Sequence, residues 1–158
     1  MANITIEYMI LIPVLILQIF LLPYAASAMM SYWTTSSETI TLQDAASHIG
    51  STIQQFYLFI NNPTLSTTTI TDNLGIPQFI NGNAYVGKAS LSPVSSSEQV
   101  LNLTLSLIRT SISTFSIVDL GQNVHWNSSC TTFTSNSLNP SINALKYSNG
   151  TILLYFSA

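Results

Sequence analysis

The chain of 158 residues has a formal net charge of −3, from three basic and six acidic residues that make up only 6% of the sequence. An ordinary soluble domain carries about 25% charged residues. Three scattered cations cannot neutralise a phosphate backbone, so no nucleic acid is predicted as a partner. Because 47% of the residues are hydrophobic and the net charge is only −3, the composition also argues against intrinsic disorder.

An uncharged apolar segment opens the chain, with no charged residue between Glu7 and Glu38. Residues 8–30 would form a helix of about 35 Å, roughly the thickness of a hydrocarbon core. A cleaved secretory signal would use Ala26-Ser27-Ala28 as its peptidase site, but no Lys or Arg precedes the apolar run. A plain membrane anchor would normally have flanking Lys or Arg to set its topology, and this segment has none. We favour a third interpretation, a helix that leaves the membrane and is buried among copies of itself.

Downstream, the sequence predicts that the helix continues with one apolar face to residue 60. Asn61-Asn62-Pro63 is a stop signal, because proline cannot continue a helix. Residues 34–41 are poor helix formers, so a break is possible there, and Pro13 and Pro23 should kink or locally melt the helix. The apolar positions, spaced by three and four, are Leu42, Ala45, Ala46, Ile49, Ile53, Phe56 and Ile60.

From about residue 64 the helical period disappears and short β-strands separated by turns are expected. Apolar residues alternate with polar ones from Leu101 to Leu107, at Phe115 and Ile117, and from Ile152 to Phe156. We therefore predict an α+β chain, with a long N-terminal hydrophobic helix followed by a small antiparallel β-sandwich-like domain. The predicted domains are residues 1–62, with an apolar part 4–33 and an amphipathic part 34–62, and residues 63–158.

This architecture resembles that of archaeal type IV pilins, which are similar to archaellins and bacterial type IV pilins in the N-terminal helix. Asn3-Ile4-Thr5-Ile6-Glu7 resembles a mature pilin start, with Glu at the fifth place if cleavage follows Ala2. The resemblance implies a structural subunit of an extracellular pilus that acts in surface or cell-cell adhesion and is embedded in the membrane before assembly. It implies a prepilin peptidase, an assembly ATPase, a membrane platform protein and further copies of the chain as partners.

In such a filament the core is formed by the apolar helices, and the Glu pairs with the terminal amine of a neighbouring subunit. The alternative for Glu7 is a carboxylate at the rim of the apolar segment. The residues expected in the filament core are Glu7, Tyr8, Ile10, Leu11, Val14, Leu15, Gln18, Ile19 and Leu22.

Three N-x-[ST] sequons, at Asn102, Asn127 and Asn149, are candidate glycosylation sites, since a surface with so few charges needs another source of solubility. A fourth, at Asn3, precedes the apolar helix and is the weakest candidate.

No enzyme, cofactor or metal site is predicted. His48 with Asp44 is an i, i+4 pair on a helix surface, and two histidines supply too few metal ligands. No Gly-rich phosphate loop or specific Ser-His-Asp set occurs. Cys130 is expected to be a small buried apolar residue. The alternative function is a membrane-anchored extracellular binding domain, for example one that binds a sugar.

Overall fold

The computed structural model describes residues 2–95 and 98–157, with side chains described from residue 8 onward. It has one long helix followed by two small, mostly antiparallel sheets, which confirms the predicted α+β fold. The chain divides into two units between Ser37 and Glu38, within the helix. The elements are α1 (Ala2–Ile60), β1 (Thr68–Asn73), β2 (Tyr85–Pro93), β3 (Glu98–Leu107), β4 (Ser113–Gly121), β5 (Val124–Trp126), β6 (Thr132–Thr134), β7 (Ser141–Lys146) and β8 (Ile152–Ser157).

Helix α1 is continuous through residues 34–41, although these residues are poor helix formers. Thr34 Oγ1 and Thr35 Oγ1 each donate a hydrogen bond of 2.9 Å to the carbonyl four residues earlier, so their hydroxyls are satisfied within the helix. Pro13 and Pro23 also lie inside the helix, which is not melted at either position.

The strands form two four-stranded sheets, in the orders β1-β7-β8-β5 and β4-β3-β2-β6. Strands β2, β3 and β4 form a meander of consecutive antiparallel pairs, in which Leu101 pairs with Leu91 on one side and with Val118 on the other. The short β5 runs parallel to β8, and every other strand pair is antiparallel. A tight turn at Asn81 and Gly82 precedes β2, and both residues have positive φ, a conformation that asparagine and glycine adopt readily in turns.

One hydrophobic core joins the second half of α1 to the two sheets. All seven apolar positions predicted from Leu42 to Ile60 are buried, which confirms the helical period. The predicted alternation in β3 and β8 is confirmed too, because Leu101, Leu103, Leu105 and Leu107 are buried, as are Ile152, Leu154 and Phe156. Phe156 packs edge-to-face on Trp126 and on Phe133, with ring centroids 4.9 and 4.8 Å apart.

Strand β4 buries the face opposite to the one that its first two apolar residues, Phe115 and Ile117, would suggest. Phe115 and Ile117 point outward and are 63% and 56% exposed, whereas Thr114 and Val118 are buried. The cause is the close approach of α1, since a Cβ atom on Gly50 would lie 2.6 Å from Ser116 Oγ. Only a small side chain fits on the inner face of β4 at this point, so the large apolar residues are excluded from it.

A buried lysine closes the C-terminal end of α1. Lys146 on β7 is only 7% exposed, and its Nζ donates hydrogen bonds of 2.9 Å to the carbonyls of Ile60 and Asn62. The Ile60 carbonyl is one that a helix end leaves without an intrahelical donor, whereas the Asn62 carbonyl lies just beyond the helix and also accepts from Leu65 N. The positive charge favours the C-terminal end of the helix dipole. Lys146 therefore attaches the end of the helix to the first sheet.

Candidate assembly surface

The first unit presents an apolar surface around the whole circumference of the helix. Eighteen large hydrophobic side chains between Tyr8 and Trp33 are exposed, by fractions from 48% at Leu15 to 78% at Tyr24. Complete burial of a Val, Leu, Ile, Phe or Met side chain contributes about 1.5–3 kcal/mol relative to water. For the whole set this is on the order of 30–50 kcal/mol, so a surface of this kind has to be covered by lipid or by protein.

The residues that the sequence assigned to a filament core lie on this surface. From residue 8 onward the structure exposes every one of them, while the side chain of Glu7 lies outside the described residues. Gln18 is the single carboxamide among them, and its side chain has no hydrogen-bond partner among the described residues. The exposed members are Tyr8, Ile10, Leu11, Val14, Leu15, Gln18, Ile19 and Leu22.

A shallow apolar groove follows one side of the same helix segment. Its volume is about 700 Å³. The lining residues recur at spacings of three and four, so they form a single stripe along the helix into which the side chains of another helix could fit. They are Pro13, Ile16, Leu17, Phe20, Leu21 and Tyr24.

Helix α1 is long enough and apolar enough to cross a membrane. Its 26 residues from Tyr8 to Trp33 span about 39 Å, slightly more than a typical hydrocarbon core. Length and composition alone do not distinguish a lipid environment from a bundle of identical helices, because lipid tails are as apolar as leucine.

The second unit contains a smaller groove that is lined by Tyr57 on α1 and by residues of β3 and β4. Its volume is about 380 Å³, and it brings the phenol of Tyr57 together with the side chains of Glu98 and Asp119. Among the described residues, neither carboxylate has a hydrogen-bond partner. No sequence pattern predicts this groove, because Tyr57 is on the helix and the two acids are on different strands.

The three candidate glycosylation sites differ in their surroundings. Asn127 Oδ1 accepts a hydrogen bond from Ser129 N, and Asn149 Oδ1 accepts one from Thr151 N, each at 3.0 Å. These Asx turns leave the Nδ2 groups of both asparagines without a partner among the described residues. Asn102 is half-buried on the outer face of β3, as predicted, and its Nδ2 donates to Ser92 Oγ across a long 3.4 Å.

The remaining residues singled out in the sequence form no site. His48 and Asp44 are both exposed on α1, beside a cavity of about 260 Å³ that Gly75 and Pro77 also line. No group of three or more potential metal ligands occurs within residues 2–95 and 98–157. Cys130 is half-buried rather than buried, because it lies in the turn after β5, where its carbonyl accepts a hydrogen bond from Trp126 Nε1.

No known protein family, curated protein or solved structure matches this chain.

Proposed function

We propose that the protein is a structural subunit of an extracellular filament of the archaeal type IV pilus kind, which polymerises through its N-terminal helix. The observation that carries this proposal is the apolar surface of residues 8–33, which surrounds the helix and contains no charge. A filament core made of identical helices would cover this surface on every side. The apolar groove from Pro13 to Tyr24 offers one stripe for such packing.

In this proposal the two parts of the helix have different packing partners. Residues from Leu42 to Ile60 bury their apolar face in the core of the β domain, and Lys146 holds the C-terminal end. The segment before Ser37 therefore remains available to other copies. In this proposal the β domains lie on the outside of the filament and provide adhesion to surfaces or to other cells.

The proposed assembly takes the helix from lipid into a bundle of identical helices. An apolar side chain gains little hydrophobic free energy from this transfer, since both environments exclude water. Assembly consequently requires an external source of energy, which fits an assembly ATPase acting through a membrane platform protein. A prepilin peptidase would act before assembly. Once the filament is outside the membrane, dissociation would expose the apolar helix to water, which makes the polymer hard to dissociate.

The proposal is tested by electron microscopy of material sheared from the cell surface, combined with the substitution Leu15→Glu. One glutamate costs about 3 kcal/mol at the centre of a membrane helix, which the many remaining apolar residues offset, so the variant still enters the membrane. In a filament core the same charge recurs in every subunit, and we expect filaments to be lost. Leu138→Glu is the matched control, because Leu138 is 94% exposed and lies outside the helix.

The proposal is supported if the wild-type chain and the Leu138→Glu variant each form filaments and the Leu15→Glu variant forms none. If the wild-type chain is recovered only in detergent extracts, with no filament on the cells, the helix is a membrane anchor and the proposal is wrong.

A second candidate function is favoured by the groove at Tyr57, Glu98 and Asp119. An aromatic ring beside two unpaired carboxylates is suited to a neutral polyhydroxylated ligand, because the carboxylates accept hydrogen bonds from hydroxyl groups and the ring packs on an apolar face. The chain would then be a membrane-anchored binding domain for a sugar. Glycan-array binding by the detergent-solubilised full chain, lost in Asp119→Asn and retained in Asp72→Asn, would support this function. A chain that binds no glycan would exclude it.

A further inference from the structure

The outer face of β4 carries an apolar patch that the fold does not cover. Phe115 is 63% exposed and Ile117 is 56% exposed, and the two are neighbours on the same face of the strand. The neighbouring outward positions on the same strand, Ser113 and Asp119, are polar, and Val100, which pairs with Asp119 on β3, is half-buried. An exposed apolar patch of this kind usually marks a surface that something else covers.

The strand register places a glycosylation sequon directly beside this patch. The sequon is Asn102-Leu103-Thr104 on β3, and its two recognised residues are two positions apart, so both face outward. Asn102 pairs with Ile117, and Thr104 pairs with Phe115. Directly opposite residues on one face of an antiparallel pair have Cβ atoms about 4.5–5.5 Å apart. Each recognised residue of the sequon is therefore a direct neighbour of one residue of the patch.

We propose that Asn102 is N-glycosylated and that the first sugars of its glycan lie over Phe115 and Ile117. The glycan shields these two side chains from water, as the protein core does for buried apolar residues. Sugar rings have apolar C–H faces that suit the flat face of Phe115, and their hydroxyl groups remain in contact with water. This inference concerns the β domain and does not depend on filament assembly.

Attachment requires a lipid-linked oligosaccharide as the co-substrate. Nδ2 of Asn102 bonds to the anomeric carbon of the first sugar, the bond from that carbon to the lipid phosphate oxygen breaks, and the lipid phosphate leaves with the bonding electron pair. The amide nitrogen loses one proton in the exchange. Asn102 Nδ2 carries two hydrogens, and its single contact, 3.4 Å to Ser92 Oγ, leaves one of them unused.

A second copy of the chain is a poorer occupant of this patch. A stable interface buries about 800 Å² on each partner, about 20–30 residues a side, whereas this patch consists of two large side chains. On the other side of β3, its outward neighbours are Lys88 and Ser90 on β2, both polar and exposed. The patch has the size of one or two sugar units rather than that of a protein surface.

The test combines glycopeptide mass spectrometry with hydroxyl-radical footprinting of the full chain, purified from its native host as detergent-solubilised monomers. We expect Asn102 to carry a glycan. In Asn102→Gln and Thr104→Ala the glycan is lost, and radical oxidation of Phe115 should rise about twofold or more. Thr104→Ser keeps the sequon and should leave both the glycan and the oxidation of Phe115 unchanged. Asn149→Gln removes a distant sequon and should leave Phe115 unchanged as well.

Oxidation of Phe156, which is buried in the core, reports whether each variant is folded. If Asn102→Gln exposes Phe156, Thr104→Ala replaces it in the comparison. The inference is overturned if native Asn102 carries no sugar, or if Phe115 is oxidised equally with and without the glycan. It is overturned as well if Phe115 is protected only in filaments, because a neighbouring subunit would then be the cover.

Discussion

Replacement of Lys146 by methionine should destabilise the second unit strongly. Lys146 Nζ donates to the carbonyls of Ile60 and Asn62, both at 2.9 Å, from a position that is only 7% exposed. Methionine fills a similar volume but donates no hydrogen bond, so the Ile60 carbonyl at the end of α1 loses the one donor that it has among the described residues.

The magnitude follows from these two contacts. Leaving a buried acceptor without a donor costs about 1–3 kcal/mol, and loss of a cation at a helix C-terminus costs about 0.3–1 kcal/mol more. Part of this loss is offset, because the methionine variant does not have to remove a charge from water when it folds. We expect a decrease of about 2–4 kcal/mol in the free energy of unfolding, or roughly 5–15 °C in Tm.

The assay is thermal unfolding of the detergent-solubilised full chain, followed by near-ultraviolet circular dichroism of the aromatic core. Hydrogen exchange of the last turn of α1 provides a local readout, because fraying should begin there. The matched control is Lys88→Met, since Lys88 is exposed on β2 and has no hydrogen-bond partner among the described residues. Surface substitutions of this kind change stability by less than about 0.5 kcal/mol. Equal Tm values for the two variants would refute the role given to Lys146.

Two further predictions concern the β domain. Burial raises the pKa of Tyr85 from 10.0 to about 12, so its neutral phenol stabilises the folded state fully below pH 10. We expect about 2 kcal/mol to be lost as the pH rises from 10 to 12, measured by denaturant unfolding. Tyr85→Phe, which removes the 2.7 Å hydrogen bond to Pro77 O, should abolish this loss; an unchanged pH dependence would contradict the assignment. Gly87→Ala places a Cβ atom in steric overlap with the ring edge of Phe133 and should cost about 1–3 kcal/mol, whereas Ser90→Ala, on the outer face of the same strand, should be neutral. Equal Tm values for these two variants would show that Phe133 can move aside.

Much of the fold could be predicted because hydrophobic periodicity was unambiguous in several elements. The apolar face from Leu42 to Ile60 keeps a helical period, and β3 alternates strictly from Leu101 to Leu107, so each pattern has only one face to bury. Strand β4 shows where periodicity is insufficient. Phe115 and Ile117 follow one alternation, Val118 and Leu120 the other, and neither is favoured by the sequence alone.

The candidate sites also differ in whether a local sequence pattern predicts them. The apolar surface from Tyr8 to Trp33 is a property of consecutive residues, so the sequence was sufficient to find it. The groove at Tyr57, Glu98 and Asp119 joins residues that are far apart in the chain, and no local pattern connects them.

Side-chain pattern alone is enough to predict that an uncharged helix opens the chain, that the second half of this helix has a single apolar face, and that strands follow. These are local properties, set by side-chain spacing and by backbone preferences. In contrast, the buried face of β4 and the contact of Lys146 with Ile60, 86 residues away in the chain, follow from tertiary packing. Both outcomes depend on how closely α1 approaches the sheets at Gly50 and Ile60, and steric fit between distant segments leaves no periodic signal in the sequence.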